Sequence, residues 1–257
     1  MGVGIAVLGL LVGFLVGITG VGGAALLTPA LLIIGISPTI AVGTDLFYNA
    51  VTKFFGTVQH LRQKTIDFKI VFYLALGSIP GAVSAVLALQ LFDTFFVHQE
   101  QIIRQALGVI LIIVAASTII RLFYSNKENN KNSNEHISNA YNKKIFSIIT
   151  GFILGAVVGL TSVGSGSLFA LLLIYFYRMS GVKVVGTDIA HAFLLVTVAS
   201  VLHAGYGHVD YQLAANLLIG SIPGVLLGST LATKVPSRPL RIVVSIFILL
   251  SGIKLVT

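Results

Sequence analysis

Apolar residues run along this chain in ten stretches separated by short polar or glycine-rich breaks. They lie at about 3–19, 24–35, 39–58, 69–91 and 101–123, and again at about 145–160, 167–177, 184–202, 211–232 and 241–256. Most are long enough, at about 1.5 Å rise per residue, to cross ~30 Å of hydrocarbon as helices. The second stretch in each set has only 11 or 12 residues, which predicts helices too short to cross. The strict alternation of a lipid-facing barrel strand is absent, so the predicted class is an all-α integral membrane protein.

Composition agrees with that class. Hydrophobic residues fill 56% of 257 positions and charged residues 9%, with a mean hydropathy of +1.00. A soluble domain needs about a quarter of its residues charged to cover its surface, so most of this surface meets lipid. The net charge of +8 sits in the connections between apolar stretches, where topology selection accounts for it and nucleic acid is not implied as a partner. With no cysteine, disulfides, thiolate chemistry and Cys-ligated metals are excluded. Met1 to Gly17 has no preceding Lys or Arg and no clear cleavage site, so it reads as a retained segment and not a signal peptide.

The chain repeats itself. Gly43-Thr44-Asp45 returns as Gly186-Thr187-Asp188, 143 residues later. At the same offset Gly77-Ser78-Ile79-Pro80-Gly81 returns as Gly220-Ser221-Ile222-Pro223-Gly224, His60 as His203 and Asp67 as Asp210. Upstream the register slips by one: Gly9, Gly13 and Gly17 answer to Gly151, Gly155 and Gly159, and Thr19-Gly20-Val21-Gly22 to Thr161-Ser162-Val163-Gly164. The expected organisation is a first membrane repeat at 1–123, a polar linker at 124–144 and a second membrane repeat at 145–257.

Equivalent loops carry opposite charge bias. Arg62, Lys64 and Lys69 follow the third stretch, whereas His203 to Tyr211 has no Lys or Arg. Gly35 to Thr39 is uncharged, but its counterpart carries Arg178 and Lys183; Phe92 to Gln101 lacks Lys and Arg, but its counterpart holds Lys234, Arg238 and Arg241. If basic loops face the cytoplasm, the halves are inverted relative to each other. Five segments per half require the same result. The linker, with Arg121, Lys127, Lys131, Lys143 and Lys144, then lies inside and both termini outside. Inverted repeats with broken helices are a transporter architecture whose substrate binds near the midplane.

Two glycine-rich breaks, Gly20-Val21-Gly22-Gly23 and Gly164-Ser165-Gly166-Ser167, each open a short helix. Free N–H groups and the positive end of the helix dipole suit an anion there, with Thr19, Thr161, Ser165 and Ser167 as hydroxyl donors. The plainer reading is close helix packing, which is also preferred for the Gly9/Gly13/Gly17 ladder. Asp45, Asn49 and Lys53, spaced by four, share one helical face; the matching face carries Asp188, Ala192 and Val196, with His191 one turn from Asp188. Ionisable groups at this depth face a cavity or a partner. Lys53 either neutralises Asp45 or holds an anion, and His191 can couple transport to protons. Alternatively each Asp stabilises a helix N-terminus, with Thr44 or Thr187 capping the same turn. His60, His203, Asp67 and Asp210 read as structural groups at helix ends. Pro80 and Pro223 predict kinks. No metal-ligand cluster, nucleotide loop or nucleophile–base set occurs, so neither an enzyme nor a cofactor or metal is expected.

The Gly-Val-Gly-Gly break, Pro29, Val42-Gly43-Thr44-Asp45 and Gly-Ser-Ile-Pro-Gly, all of it repeated, resemble the TauE/SafE family of sulfite-exporter-type permeases. The resemblance covers both halves. It implies transport of sulfite, sulfoacetate or related sulfur-containing or organic anions, with Gly20 to Gly23, Gly164 to Ser167 and both Gly-Thr-Asp elements bordering the path. The second break departs from the pattern, because it reads Gly-Ser-Gly-Ser and lacks a counterpart of Pro29. The expectation is a secondary carrier of a small anion in the plasma membrane, coupled to a proton or another ion; an anion channel on the same scaffold is the alternative.

Overall fold

A computed structural model of the chain describes residues 2–19, 22–95, 99–124, 140–179, 182–231 and 237–256. Ten helices account for nearly all of them: α1 (Gly2–Thr19), α2 (Ala24–Ile33), α3 (Pro38–Arg62), α4 (Phe68–Phe95), α5 (Gln99–Tyr124), α6 (Ala140–Thr161), α7 (Leu168–Tyr175), α8 (Val182–Gly205), α9 (Tyr211–Leu231) and α10 (Ser237–Val256). Every expected apolar stretch is a helix. Most of the expected linker, from 125 to 139, lies outside the described residues.

Helix length follows the apolar pattern. Four segments, Phe68–Leu91, Lys144–Thr161, Lys183–Gly205 and Tyr211–Leu231, are long and apolar enough to cross a membrane. By contrast α2 has 10 residues and α7 has 8, or about 15 and 12 Å, roughly half the hydrocarbon thickness. Polarity is distributed inside out. Leu11, Phe72, Val201, Ile219, Val243 and Leu250 are exposed, while Asp45, Asn49, Asp188, His191 and His203 are buried. Water would penalise that surface; lipid does not, and it drives polar groups to the interior.

The helices pack in cross-matched pairs. α1 lies along α9, α6 along α4, α5 along α10, and α3 along α8, with α8 also against α4. Glycine sets the closest of these contacts. A Cβ on Gly13 would stand 2.5 Å from the Ser221 carbonyl oxygen, and one on Gly155 would stand 2.5 Å from the Ser78 Cα. The Gly9/Gly13/Gly17 ladder and its repeat are packing surfaces, as expected, and the glycines flanking Ser78 and Ser221 receive them. Backbones that approach this closely gain dispersion contacts, the main source of helix association in lipid. The Gly-Ser-Ile-Pro-Gly motif therefore does more than place a proline. α4 and α9 run on through Pro80 and Pro223, and the motif's glycines seat α6 and α1.

The ends of α3 and α8 are tied to the opposite half of the chain. The Thr44 hydroxyl accepts the Asp210 main-chain N–H, and Thr187 accepts that of Asp67, both at 3.0 Å. The threonines therefore bond across the molecule and do not cap their own turns. Asp67 and Asp210 cap α4 and α9 instead, accepting N–H groups from Ile70 at 3.2 Å and Leu213 at 2.9 Å, the usual work of an aspartate at that position.

Candidate functional site

Neither α3 nor α8 has an acidic residue in its first turn. Asp45 and Asp188 are therefore not helix-start stabilisers, and their burial needs another explanation. Asp45 is 0% exposed. Its carboxylate accepts the Thr28 hydroxyl at 2.6 Å and the Asn49 side-chain amide at 2.8 Å, and that amide is shared with the Asp45 main-chain carbonyl at 2.9 Å. Charge-assisted bonds of this length are strong, and they fasten α2 to α3. Because α2 is fastened there, its first turn faces α3: a Cβ on Gly23 would sit 3.5 Å from both Asn49 Oδ1 and Tyr48 Cε1.

Two turns along the same face, Lys53 reaches the second glycine break. Its ammonium donates to the Ser165 main-chain carbonyl at 3.3 Å. The position that a Gly166 side chain would take is 3.9 Å from Lys53 Nζ and 3.7 Å from Asp188 Oδ2. Lys53 therefore neighbours Asp188 of α8 as well as Asp45 on its own helical face. Asp45 and Asp188 are 0% and 6% exposed, and Lys53 is part-buried.

The second break is itself unusual backbone. Gly164 has φ +100°, matching Gly22 at +92° on the other side, the left-handed region that glycine enters freely. Ser162 also has a positive φ, +61°, without glycine's freedom, a conformation that costs about 1 kcal/mol or more. Its hydroxyl is fully buried and approaches the Asp45 carboxylate without meeting hydrogen-bond geometry. The Thr161 hydroxyl is occupied locally, donating to the Val157 carbonyl at 2.7 Å and accepting the Val163 N–H at 3.3 Å.

A second matched set flanks the first. His191 is 0% exposed, bonded through Nε2 to the Ser78 hydroxyl at 2.8 Å and packed on the Phe169 ring with centroids 4.3 Å apart. Its Nδ1 has no hydrogen-bond partner. At the matching place, the Tyr48 phenol faces the Ser221 hydroxyl.

The fold therefore gathers Gly23, Asp45, Asn49, Lys53, Ser165, Gly166, Asp188 and His191 around the α3–α8 contact. Gly22 and Gly164 supply the turns beside it, and Ser167 starts α7 without a side-chain cap bond. Gly20 and the Thr19 side chain lie outside the described residues. Thr28, Tyr48, Ser78, Ser162 and Ser221 were not foreseen. Three of them had a signal in the repeat: Tyr48 stands 143 residues before His191, and Ser78 the same distance before Ser221. Ser162 replaces the first half's Gly20, a departure that marks the strained position. Among the described residues no group of three His, Asp or Glu side chains is arranged to hold a metal ion.

Similarity to known proteins gives the family. The sequence profile of the family described as sulfite exporter TauE/SafE matches residues 5–255. Over the full length of both chains, the protein is 56% identical to the probable membrane transporter protein YjnA of Bacillus subtilis. It is 24% identical to the probable membrane transporter protein YunE of the same organism, across 98% of this chain and 96% of that one. No solved structure matches it. With the profile spanning nearly the whole chain and one relative matching end to end, this polytopic helical protein belongs to the sulfite exporter TauE/SafE family of membrane transporters.

Proposed function

We propose that the protein is a secondary carrier that moves a small anion, sulfite or a related sulfur-containing or organic anion, across the plasma membrane by alternating access with proton or ion coupling. The observation that carries this reading is Lys53, a cation from the middle of α3 whose ammonium meets the Ser165 carbonyl of the opposite break beside the unoccupied side-chain position of Gly166. A part-buried ammonium at the second helix opening suits a small anion, because the charge is met by the lysine and the remaining lone pairs by helix N–H and hydroxyl groups. Gly22, Gly23, Asn49, Gly164, Ser165, Gly166 and Ser167, together with Thr19, Gly20 and Thr161, make up the proposed surroundings of the anion, with Asp45, Asp188 and His191 as the titratable groups beside it.

Alternating access needs two bodies that rock about a shared site. Residues 1–123 and 145–257 are the proposed bodies, inverted relative to each other, with 124–144 cytoplasmic and both termini outside. The reading is supported by the cross-matched helix pairs, the paired threonine bonds and the opposite loop charges. Flux of sulfite, sulfoacetate and sulfate into proteoliposomes tests it. Saturable flux that collapses in Lys53→Ala is expected, and absence of flux for every anion tried would refute the reading. Unitary conductance without coupling would assign the same site to a channel.

A further inference from the structure

Among the described residues, Nδ1 of the fully buried His191 makes no hydrogen bond. We propose that His191 meets the transported anion as a neutral donor, through its Nδ1–H, and that Ser78 is the positioning residue that puts the proton on that nitrogen. This rests on the anion-carrier reading above. It adds to that reading the group that takes an oxygen of the anion and the residue that prepares it.

Counting hydrogens assigns the tautomer. A neutral imidazole carries one N–H and one bare nitrogen, and a serine hydroxyl carries one O–H. Both residues are 0% exposed, and they meet through Nε2 and Oγ at 2.8 Å. Serine hydroxyls inside helices often donate back to their own helix, as Ser84 of α4 does to the Gly81 carbonyl at 2.9 Å. Ser78 does not, and among the described residues its hydroxyl bonds His191 alone. If Nε2–H donated to Ser78, the hydroxyl hydrogen would lack an acceptor and Nδ1 would lack a donor. If Ser78 donates to a bare Nε2, a single group is left over, the Nδ1–H. Unmet polar groups away from water are costly, so the second arrangement is the stable one, and what it leaves is a donor.

Position makes that donor useful. His191 lies one helical turn beyond Asp188 on α8, and Asp188 borders the place over Gly166, 3.7 Å from its carboxylate and 3.9 Å from the Lys53 ammonium. Lys53 is also a charged neighbour of His191. The imidazole packs on Phe169 at the start of α7, with centroids 4.3 Å apart, so Ser78 and Phe169 hold it from two helices. An ammonium is a compact charge with rotatable donors, which attracts an anion without orienting it. A fixed N–H adds direction, and a preorganised donor needs no rearrangement when the anion arrives. An oxyanion oxygen, as in sulfite or a sulfonate, completes the bond, and a charge-assisted bond is stronger than a neutral one. The first half does not repeat this arrangement. There Ser221 faces the Tyr48 phenol and donates to the Leu218 carbonyl at 3.5 Å.

The test uses the full-length protein in lipid nanodiscs, its histidines labelled with the heavy nitrogen isotope, with His191 identified by the signal missing from His191→Gln. Nuclear magnetic resonance should find the proton on Nδ1 and a bare Nε2 in the anion-free protein. Titration with sulfite or sulfoacetate should move the Nδ1–H signal, which a merely structural histidine would not show. In Ser78→Ala the proton should redistribute toward Nε2. Half-saturation for sulfite flux in proteoliposomes should then rise roughly tenfold, as expected for losing one hydrogen bond to an anion. Ser84→Ala removes a hydroxyl from the same helix without touching a histidine and should leave half-saturation where it was. A wild-type ring protonated at Nε2, or at both nitrogens, would overturn the proposal. So would an Nδ1–H signal that stays still at anion concentrations that saturate flux, a result that leaves the carrier reading in place. Unchanged half-saturation in Ser78→Ala would overturn the role of Ser78. If Ser78→Ala does not elute as a monodisperse species, the wild-type spectrum and its anion titration decide. Absence of any wild-type anion flux would overturn the carrier reading and this inference with it.

Discussion

Replacing Gly155 or Gly13 by alanine tests whether the two helix crossings beside the site depend on backbone contact. A methyl on Gly155 would lie 2.5 Å from the Ser78 Cα and 2.6 Å from its carbonyl carbon; one on Gly13 would lie 2.5 Å from the Ser221 oxygen and 2.8 Å from its Cα. Ordinary contact begins near 3.4 Å, so the Gly13 crossing must open by about 0.9 Å, and the Gly155 crossing, where the Ser78 carbonyl oxygen stands closer still, by more. The obstructing atoms are main chain, so no rotamer change relieves the clash. Overpacking of this kind costs about 1–3 kcal/mol. For a chain of this length that corresponds to a Tm lower by about 2–12 °C. Gly4→Ala on the same helix as Gly13 is the control, since nothing stands within 4 Å of its added carbon; it should be neutral or, through helix propensity, slightly stabilising. Tm is measured in detergent as the loss of the monodisperse size-exclusion peak after heating. The two sites lie in different crossings, so the double variant should lose the sum of the single effects. If Gly13→Ala melts with Gly4→Ala, the contact between α1 and α9 is not the close approach described, and the argument for the ladder fails.

Two further predictions address the cross-tie and the site. Thr44→Val or Thr187→Val removes the acceptor for the Asp210 or Asp67 main-chain N–H and should cost about 1 kcal/mol each, read as equal Tm losses; a loss from only one would break the equivalence of the two ties. Gly166→Ala should fold normally, because its added carbon would meet Asp188 and Lys53 at ordinary distances of 3.7 and 3.9 Å. Its methyl would occupy the anion's place, so half-saturation in the flux assay should rise roughly tenfold, about 1.4 kcal/mol; an unchanged value would move the anion away from Gly166.

Much was legible in one dimension because lipid imposes simple rules. An apolar run long enough to cross must be a helix, and all ten runs are helices. Identity at a fixed offset of 143 exposed the duplicated motifs, and the spacing of Asp45, Asn49 and Lys53 placed them on one face, where Asp45 and Asn49 do bond. Partnership across the molecule was not legible. Thr44 looked like a cap for its own turn but accepts Asp210, 166 residues away. Periodicity shows only that Lys53 shares a helical face with Asp45, where it could neutralise that carboxylate or hold an anion; in the fold its ammonium reaches the Ser165 carbonyl, 112 residues away. Thr28 was unremarkable in an apolar run until α2 folded against α3 and aimed its hydroxyl at Asp45. The sequence by itself determined the solvent, the helices and the residues that repeat, since each follows from local composition and period. Only the tertiary structure decided which buried charge faces which, because that depends on the crossing of helices from opposite ends of the chain, and those crossings are set by backbone contacts between glycines and carbonyls that no local pattern records.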